Sequence, residues 1–250
     1  MDTLTVIPAR IASVRLPRKM LADIGGKPLI VRTLECALAA GVGDVIVACD
    51  GEEIADAVQK AGGTAVLTDP DLPSGTDRVF AARSKYDPTG KYKIIINLQG
   101  DQPLVAPEFV RAVVELVKKS DFDISTPIVA VKDDSHLRDA VVKSVVAFTS
   151  KNTGKALYFS RSAIPFGGPY FRHVGIYCFR AEGLRKFVSL PPSPLEISEK
   201  LEQLRAIENG MTIGVTLVDA DPPVSVDVEE DLEQARRLFK ISCGGIDFNG

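Results

Sequence analysis

The sequence predicts an α/β fold of three layers, with a mostly parallel central sheet covered by helices on both faces. Three observations predict it. Through the first half, short apolar runs alternate with amphipathic segments in the order LTVIP, KPLIVRTLECALAAG, DVIVACD, GEEIADAVQKAGG, TAVLTD. Strands separated by single helices are the mark of βαβ units and a parallel sheet. KIIINLQGD is a nearly continuous apolar run closed by an acidic residue, as a strand buried on both faces reads. With 250 residues, 45% hydrophobic and 25% charged, the chain is long and apolar enough for one large domain carrying an insertion.

LTVIP is the first strand. In the helix that follows, Leu29, Ile30, Thr33, Leu34, Ala37 and Leu38 fall at helical spacing, and Gly41 stands where a C-terminal glycine ends a helix. DVIVACD and TAVLTD are the next strands, with a helix over GEEIADAVQKAGG between them. Ser74 is placed to cap the helix SGTDRVFAARSKY, because its hydroxyl can accept from the first-turn N–H groups. A helix from 107 to 119 and a strand at DISTPIVAV follow KIIINLQGD. The runs VVKSVVAF, ALYFSR and RHVGIYCFR then read as strands without helices between them. This predicts an antiparallel or mixed part of the sheet, a small mixed α/β dimerisation or lid subdomain. It is expected at about 125–195 within a single domain spanning 1–250. One helix is expected over LEISEKLEQLRAIENG, opened by a capping box at Ser193–Glu196 with Pro194 at its first position. A strand at TIGVTLVD, a helix at EEDLEQARRLFK and a frayed, Gly-rich ISCGGIDFNG complete the chain.

A formal charge of -3 gives no basic footprint for nucleic acid or for a membrane surface. Cys36, Cys49, Cys178 and Cys243 are scattered, with no CxxC pair and no Cys/His cluster, and are expected as reduced thiols in a cytoplasmic protein. No cationic start with an apolar core suggests a signal peptide, and no apolar run reaches membrane-spanning length.

The segment IPARIASVRLPRK sets Arg10, Arg15 and Lys19 on one loop behind the first strand, with Ala12 and Ser13 among them. A loop at the carboxyl end of a parallel strand is where ligands bind, and Arg and Lys suit phosphate. The loop reads as a triphosphate cradle or as a solvated basic loop. It lacks the spacing GxxxxGK[ST] and the spacing GxGxxG, which removes the main support for P-loop kinases and dinucleotide dehydrogenases. Asp101 ends a buried strand and is the first candidate for holding Mg²⁺ with substrate phosphates; otherwise it opens the turn before Pro103. Asp227, in VSVDVEEDL, is either the cap of the last helix or a second carboxylate of a metal clamp. In DPDLPSGTDR, Ser74 and Gly75 precede a helix N-terminus with Arg78 one turn in, an anion or base site or simply a capped start. If RHVGIY is one strand, His173, Gly175 and Tyr177 share a face, and His173 is either a packed residue or a functional one. His136 is expected to be exposed. No GxSxG elbow is present, so covalent acyl chemistry has no support.

IPARIASVRLPRK, IGGKPLI, SGTDR, NLQGDQP, ALYFSRSAIPF, RHVGIYCFR, SPLEISEKLEQLR and VDVEEDLE occur in that order. In these blocks the chain resembles the 3-deoxy-manno-octulosonate (Kdo) cytidylyltransferases from about Thr5 to about Leu238. The resemblance implies a three-layer Rossmann-like nucleotidyltransferase fold and a cytoplasmic homodimer that serves lipopolysaccharide biosynthesis. The reaction implied is attack of the anomeric hydroxyl of Kdo on the α-phosphate of CTP, giving CMP-Kdo and pyrophosphate. The CTP-binding residues would be Ala9, Arg10, Ser13, Arg15, Lys19, Ser74, Gly75 and Arg78. Gln99, Arg161, His173, Tyr177, Glu202 and Gln203 would bind the sugar. Asp101 and Asp227 would hold Mg²⁺, and together with Arg10 and Lys19 they would form the catalytic set. The chain departs from the family wording at Gln102, where Glu is frequent, at Arg18, where Gly is frequent, and in VSVDVEED. The segment between Pro165 and Arg172 is also short. The nearest alternative is the same reaction on 8-amino-8-deoxy-Kdo, and a CMP-sialate synthetase fits less well. From a different class, the alternative is a catalytically silent nucleotide-binding module.

Overall fold

The computed structural model describes residues 2–242. The chain divides into two compact units, the first formed by residues up to 92, 97–107 and from 223 onward, the second by 93–96 and 108–222. The expected insertion at 125–195 falls inside the second unit, which is wider.

In the first unit, β1 (Thr3–Ala9) is buried along its whole length, as its apolar run requires. A two-residue antiparallel pair, β2 (Asp23–Ile24) and β3 (Lys27–Pro28), leads into α1 (Leu29–Ala40). β4 (Asp44–Cys49), α2 (Glu52–Lys60), β5 (Thr64–Leu67) and α3 (Gly75–Tyr86) follow. β1 pairs in parallel with β4, and β4 with β5, so that Ile7 faces Val47 and Val47 faces Ala65. On its other side β1 neighbours β6 (Ile94–Leu98), whose last two residues belong to this unit. The α1 stripe buries Leu29, Ile30, Thr33, Leu34 and Ala37 as predicted, but Leu38 is 55% exposed. In helical angle Leu38 falls between the buried Leu34 and Val31, so it is its place in the last turn, and not its face, that leaves it uncovered. Gly41 caps α1 with φ 65, its N–H donating to Leu38 O at 3.1 Å, a left-handed conformation that suits glycine.

The second unit contains α4 (Pro107–Lys119), β7 (Ile124–Ala130), β8 (Lys143–Phe148), β9 (Thr153–Ser160), β10 (Phe171–His173) and β11 (Ile176–Arg180). It continues with α5 (Ala181–Ser189), α6 (Pro194–Glu199), α7 (Gln203–Glu208) and β12 (Ile213–Leu217). The valines Val110, Val113, Val114 and Val117 fix the inner face of α4. β7 pairs in parallel with β12 but antiparallel with β10 and β11; β8–β9 and β12–β9 are also antiparallel. The sheet is therefore mixed, which corrects the expectation of a mostly parallel one. The cause is connection length: β8 to β9 and β10 to β11 leave no room for a crossover helix, and a parallel return needs a dozen residues or more.

Two predicted elements are broken. RHVGIYCFR is interrupted at Val174 and Gly175, and both of its halves pair along β7. The helix expected over LEISEKLEQLRAIENG is two helices, with Lys200 between them at φ 56. The break follows from Glu199: its carboxylate accepts from Ser160 Oγ at 2.7 Å and Arg161 N–H at 3.0 Å, and its carbonyl from Arg161 Nε at 3.0 Å. The capping glutamate is found as predicted, Ser193 N–H donating to Glu196 Oε2 at 3.0 Å. His136 is half-buried rather than exposed, because its ring stacks on Tyr170 at 4.1 Å between centroids.

The last helix, α8 (Glu229–Ser242), belongs to the first unit. Cys243 and the rest of the Gly-rich end lie outside the described residues; Cys36, Cys49 and Cys178 are free thiols. Among the described residues no helix is long and apolar enough to cross a membrane.

Candidate active site

A cleft of about 400 Å³ opens in the first unit at the carboxyl ends of β1 and β6. Its walls include Arg10, Ser13, Arg15, Lys19, Gly75, Gln99, Asp101 and Asp227. Sequence positions 10 to 19, 75, 99 to 101 and 227 thus meet in one place. The closest approach is at Gly100, where an added Cβ would lie 2.6 Å from Pro8 O. Only glycine lets the Asp101 turn sit this tightly against β1.

Lys19 is the hub. Its side chain is only 11% exposed, and Nζ donates to Asp101 Oδ2 at 3.0 Å, Asp227 Oδ1 at 3.1 Å and Val226 O at 2.8 Å. Burial alone would lower the Lys19 pKa, but Asp101 and Asp227 outweigh it and hold it above its ordinary value. Arg15 Nη2 adds a 2.9 Å ion pair to Asp227 Oδ1. The backbone makes the meeting possible, since Val226 N–H donates to Asp101 O at 2.9 Å. Asp227 does not cap the last helix: Asp231 Oδ2 accepts from both Asp227 N–H and Val228 N–H. Three oxygens, Asp101 Oδ2, Asp227 Oδ1 and Val226 O, are thereby gathered around one cationic nitrogen. An all-oxygen donor set of this kind suits Mg²⁺, which needs only one or two carboxylates when phosphates complete its shell. Among the described residues no larger group of His, Cys, Asp and Glu is assembled.

Not every expected CTP residue faces the cleft. Ala9 is buried at the end of β1. Ser74 caps α3, its Oγ accepting from Asp77 N–H at 3.1 Å and donating to Asp77 Oδ2 at 2.6 Å. Arg78 is fully buried, with its guanidinium on Thr68 Oγ1 at 2.5 Å, Asp50 Oδ2 at 3.3 Å and Pro70 O at 3.4 Å. From there its side chain does not line the cleft. Asp50, backed by Arg78, accepts from Ile11 N–H at 2.8 Å and so anchors the start of the loop that carries Arg10, Arg15 and Lys19. Arg10 Nη2 donates to Leu72 O at 2.7 Å. Gln99 Nε2 is held by Asn97 Oδ1 at 3.1 Å, and Asn97 Nδ2 by Thr76 Oγ1 at 3.1 Å.

The other expected sugar residues form two groups in the second unit. In one, the His173 ring packs edge-on against Phe159 at 5.0 Å and against Tyr177 at 5.4 Å, while Tyr177 Oη donates to Gln203 Oε1 at 3.1 Å. Burial, with some help from Arg172, lowers the His173 pKa to about 3. Burial first and the charge of Glu202 second raise the Tyr177 pKa well above its ordinary value. Both side chains are therefore neutral at pH 7. In the other group, Arg161 is tied to Glu199 and donates from Nη1 to Asp139 O at 3.0 Å, leaving Nη2 without a partner among the described residues. The fully buried Lys143 supports it, Nζ donating to Val141 O at 2.6 Å, Arg138 O at 3.2 Å and Arg161 O.

Several residues escaped the sequence reading. Asp50 ends an apolar strand just as Asp101 does, so the same signal could have found it. Val226 O and Leu72 O act through the backbone and carry no residue-type signal. Glu199 and Lys143 lie in segments read only for secondary structure.

The chain matches the cytidylyltransferase family model over residues 4–213. It is 52% identical over 235 residues to the 3-deoxy-manno-octulosonate cytidylyltransferase of Parvibaculum lavamentivorans, spanning 93% of this chain and 91% of that one. The chain belongs to the 3-deoxy-manno-octulosonate cytidylyltransferase family. The family member from Rhodospirillum rubrum is 50% identical over 240 residues, or 94% of this chain and 95% of its own. A solved CMP:2-keto-3-deoxy-manno-octonic acid synthetase complexed with CTP superposes with a TM-score of 0.88 at 38% identity, covering 97% of this chain and 100% of that one. A cytidylyltransferase from Leptospira borgpetersenii, at 19% identity and TM-score 0.62 over 94% of this chain and 85% of that one, shares the fold alone. The cytidylyltransferase fold is thus mixed α/β.

Proposed function

We propose that this protein transfers CMP from CTP to the anomeric hydroxyl of Kdo, releasing pyrophosphate and supplying CMP-Kdo for lipopolysaccharide biosynthesis. The observation that carries this reading is the convergence of Lys19 on Asp101 and Asp227 at 3.0 and 3.1 Å, in the cleft that also holds Arg10 and Arg15. A silent nucleotide-binding module has no need of that arrangement. The names of the relatives and the CTP complex of the solved neighbour support the same reaction, and they favour Kdo over 8-amino-8-deoxy-Kdo.

In the reaction the sugar hydroxyl oxygen forms a bond to the α-phosphorus as the α–β bridging P–O bond breaks. The hydroxyl proton is released to solvent, and the electron pair of the broken bond leaves on pyrophosphate. Charge neutralisation and positioning are what such a transfer asks of a protein. Arg10, Arg15 and Lys19 bind the phosphates and stabilise charge on the leaving group. Asp101 and Asp227 would hold Mg²⁺, and the Lys19 ammonium beside them supplies a further positive charge for a phosphate. When bound, the ion polarises the α-phosphate and lowers the pKa of a coordinated hydroxyl. Ser13 and Gly75 lie beside the nucleotide, and Arg161 offers Nη2 to the sugar carboxylate. His173, Tyr177, Glu202 and Gln203 contact the sugar, and the resemblance adds Gln99 to the sugar-binding residues. The protein acts as a cytoplasmic homodimer, a reading supported by the free thiols and by exposed apolar residues of the second unit such as Leu157, Phe166 and Ile197.

The test is pyrophosphate release from CTP and Mg²⁺ with Kdo, 8-amino-8-deoxy-Kdo and sialic acid offered separately. Release with Kdo well above the others is expected. Release with none of them, in protein that binds CTP, rejects the reading.

A further inference from the structure

Thr126 lies in the middle of β7, and its hydroxyl is completely enclosed. Oγ1 stands 2.8 Å from His173 Nε2, 2.8 Å from Ile176 O and 3.2 Å from Val174 O. A hydroxyl has one proton to give and lone pairs to receive, whereas a carbonyl can only accept. If Thr126 gave its proton to the imidazole, its oxygen would face two carbonyl oxygens with nothing between them. If it gives the proton to Ile176 O, its lone pairs are free to accept from the ring, and every group is satisfied. Val174 O needs nothing from Thr126, because it already accepts from Ile176 N–H at 2.7 Å. The imidazole must then carry its hydrogen on Nε2.

The rest of the surroundings keep the ring uncharged. Phe159 and Tyr177 pack on its faces and edges, Arg172 is its neighbour in the chain, and no carboxylate bonds to it among the described residues. A neutral ring with hydrogen on Nε2 has its lone pair on Nδ1. Nδ1 has no partner among the described residues, and His173 retains 8% of its surface exposed. Its open nitrogen can therefore only accept.

We infer that Thr126 fixes His173 as a hydrogen-bond acceptor for a hydroxyl of the acceptor sugar. The inference rests on the reading that His173 and Tyr177 contact the sugar. It assigns opposite tasks to two residues of that set: His173 takes a hydroxyl proton and repels a carboxylate, and the carboxylate is left to Arg161. Thr126 is thereby a positioning residue that sets which group of the substrate His173 can recognise.

The chain has two histidines, so the ¹⁵N spectrum of histidine-labelled protein is simple, and His136→Gln assigns it. His173 is expected to show a protonated Nε2 and an unprotonated Nδ1, unchanged across about pH 5–8, where a free imidazole titrates. Hydrogen on Nδ1, or a charged ring, overturns the inference without any variant. Thr126→Val is expected to mix the tautomers and to raise the KM for Kdo roughly tenfold, the worth of one hydrogen bond, with the KM for CTP unchanged. Thr126→Ser restores both. A Thr126→Val protein with mixed tautomers and an unaltered sugar KM also overturns it. His173→Gln separates the two levels. If that variant leaves the sugar KM untouched while the wild-type tautomer is as expected, the assignment of this group to the sugar is what fails, and the inference falls with it.

Discussion

Around the cleft of the first unit, Lys19 and Arg15 share the oxygens of Asp101 and Asp227 at 2.9 to 3.1 Å, and two of these four side chains are more than a third exposed. Around Tyr177 in the second unit, the polar contacts join neutral groups, His173 to Thr126 and Tyr177 to Gln203, and all are nearly sealed from solvent. The difference sets what each region can do. Exposed ion pairs contribute little to stability because water and salt screen them, so the Arg15–Asp227 pair, 64% and 39% exposed, is cheap to part, whereas Lys19, 11% exposed, is held among three oxygens. Buried neutral groups are costly to leave unpaired, and they hold one pattern of donors and acceptors. Under the proposed function, one region neutralises charge and the other reads hydroxyls.

The harshest way to break this comparison is to remove a carboxylate. Asp101→Asn and Asp227→Asn are each expected to lower kcat/KM roughly 10³-fold, at the upper end of what one charge-stabilising group supplies. The fold should survive, since Lys19 keeps one carboxylate and Val226 O. Pyrophosphate release, with circular dichroism as the check on folding, decides it. Activity near wild type in either folded variant would remove the paired carboxylates from the chemistry.

Acidification probes the other region. The pKa of His173 is about 3 in the fold against about 6.5 in an unfolded chain. Below pH 6.5 the unfolded state binds a proton that the folded state refuses, so stability is full above that pH and is lost as pH falls toward 3. The slope contributed by this one group approaches about 1.4 kcal/mol per pH unit. Urea melts at pH 7 and pH 5 should show a steeper loss in wild type than in His173→Gln. Equal losses would mean that the ring is charged in the fold and that the second region is not neutral.

Arg15 gives a milder test. Its side chain is 64% exposed and its pair with Asp227 is of the kind worth about 0–1 kcal/mol. Arg15→Ala is expected to leave the urea midpoint almost unchanged and to raise the KM for CTP about tenfold, the loss of one charge-assisted phosphate contact. The KM for the sugar should stay where it is. A shift in the sugar KM alone would take the loop away from the phosphates.

Much of the first region was legible because its elements obey local rules. The α1 stripe, the Gly41 cap, the Ser74 cap and an acidic residue at the end of β6 each follow from spacing and residue type. Their joining of Asp227 to Asp101 does not: it depends on the Val226 N–H to Asp101 O bond, a backbone contact between segments far apart in sequence. The bond of Arg78 to Asp50 was not legible for a related reason, since an Arg at a helix start looks the same whether it faces solvent or a carboxylate. The second region was harder to read. Its strands return without helices, the break at Lys200 is imposed by what Glu199 binds, and Thr126 gives no signal inside an apolar run.

The smallest expected effect is at Arg18. Its φ of 57 is left-handed, and its side chain pairs with Glu53 while 61% exposed. Three terms meet in Arg18→Gly. Relief of the left-handed backbone favours the variant by roughly 1–2 kcal/mol. Loss of the exposed pair costs about 0.2–1 kcal/mol, and the added freedom of glycine in the unfolded chain costs about 0.4–1 kcal/mol more. The sum runs from about -1 to about +1.4 kcal/mol, so the unfolding free energy should change by less than about 1.5 kcal/mol, and the KM for CTP by less than about twofold. A much larger destabilisation would mean that the Arg18–Glu53 pair holds the phosphate loop in place. The first region would then be a braced structure, not one whose exposed pairs part easily, and its contrast with the sealed group around Tyr177 would narrow.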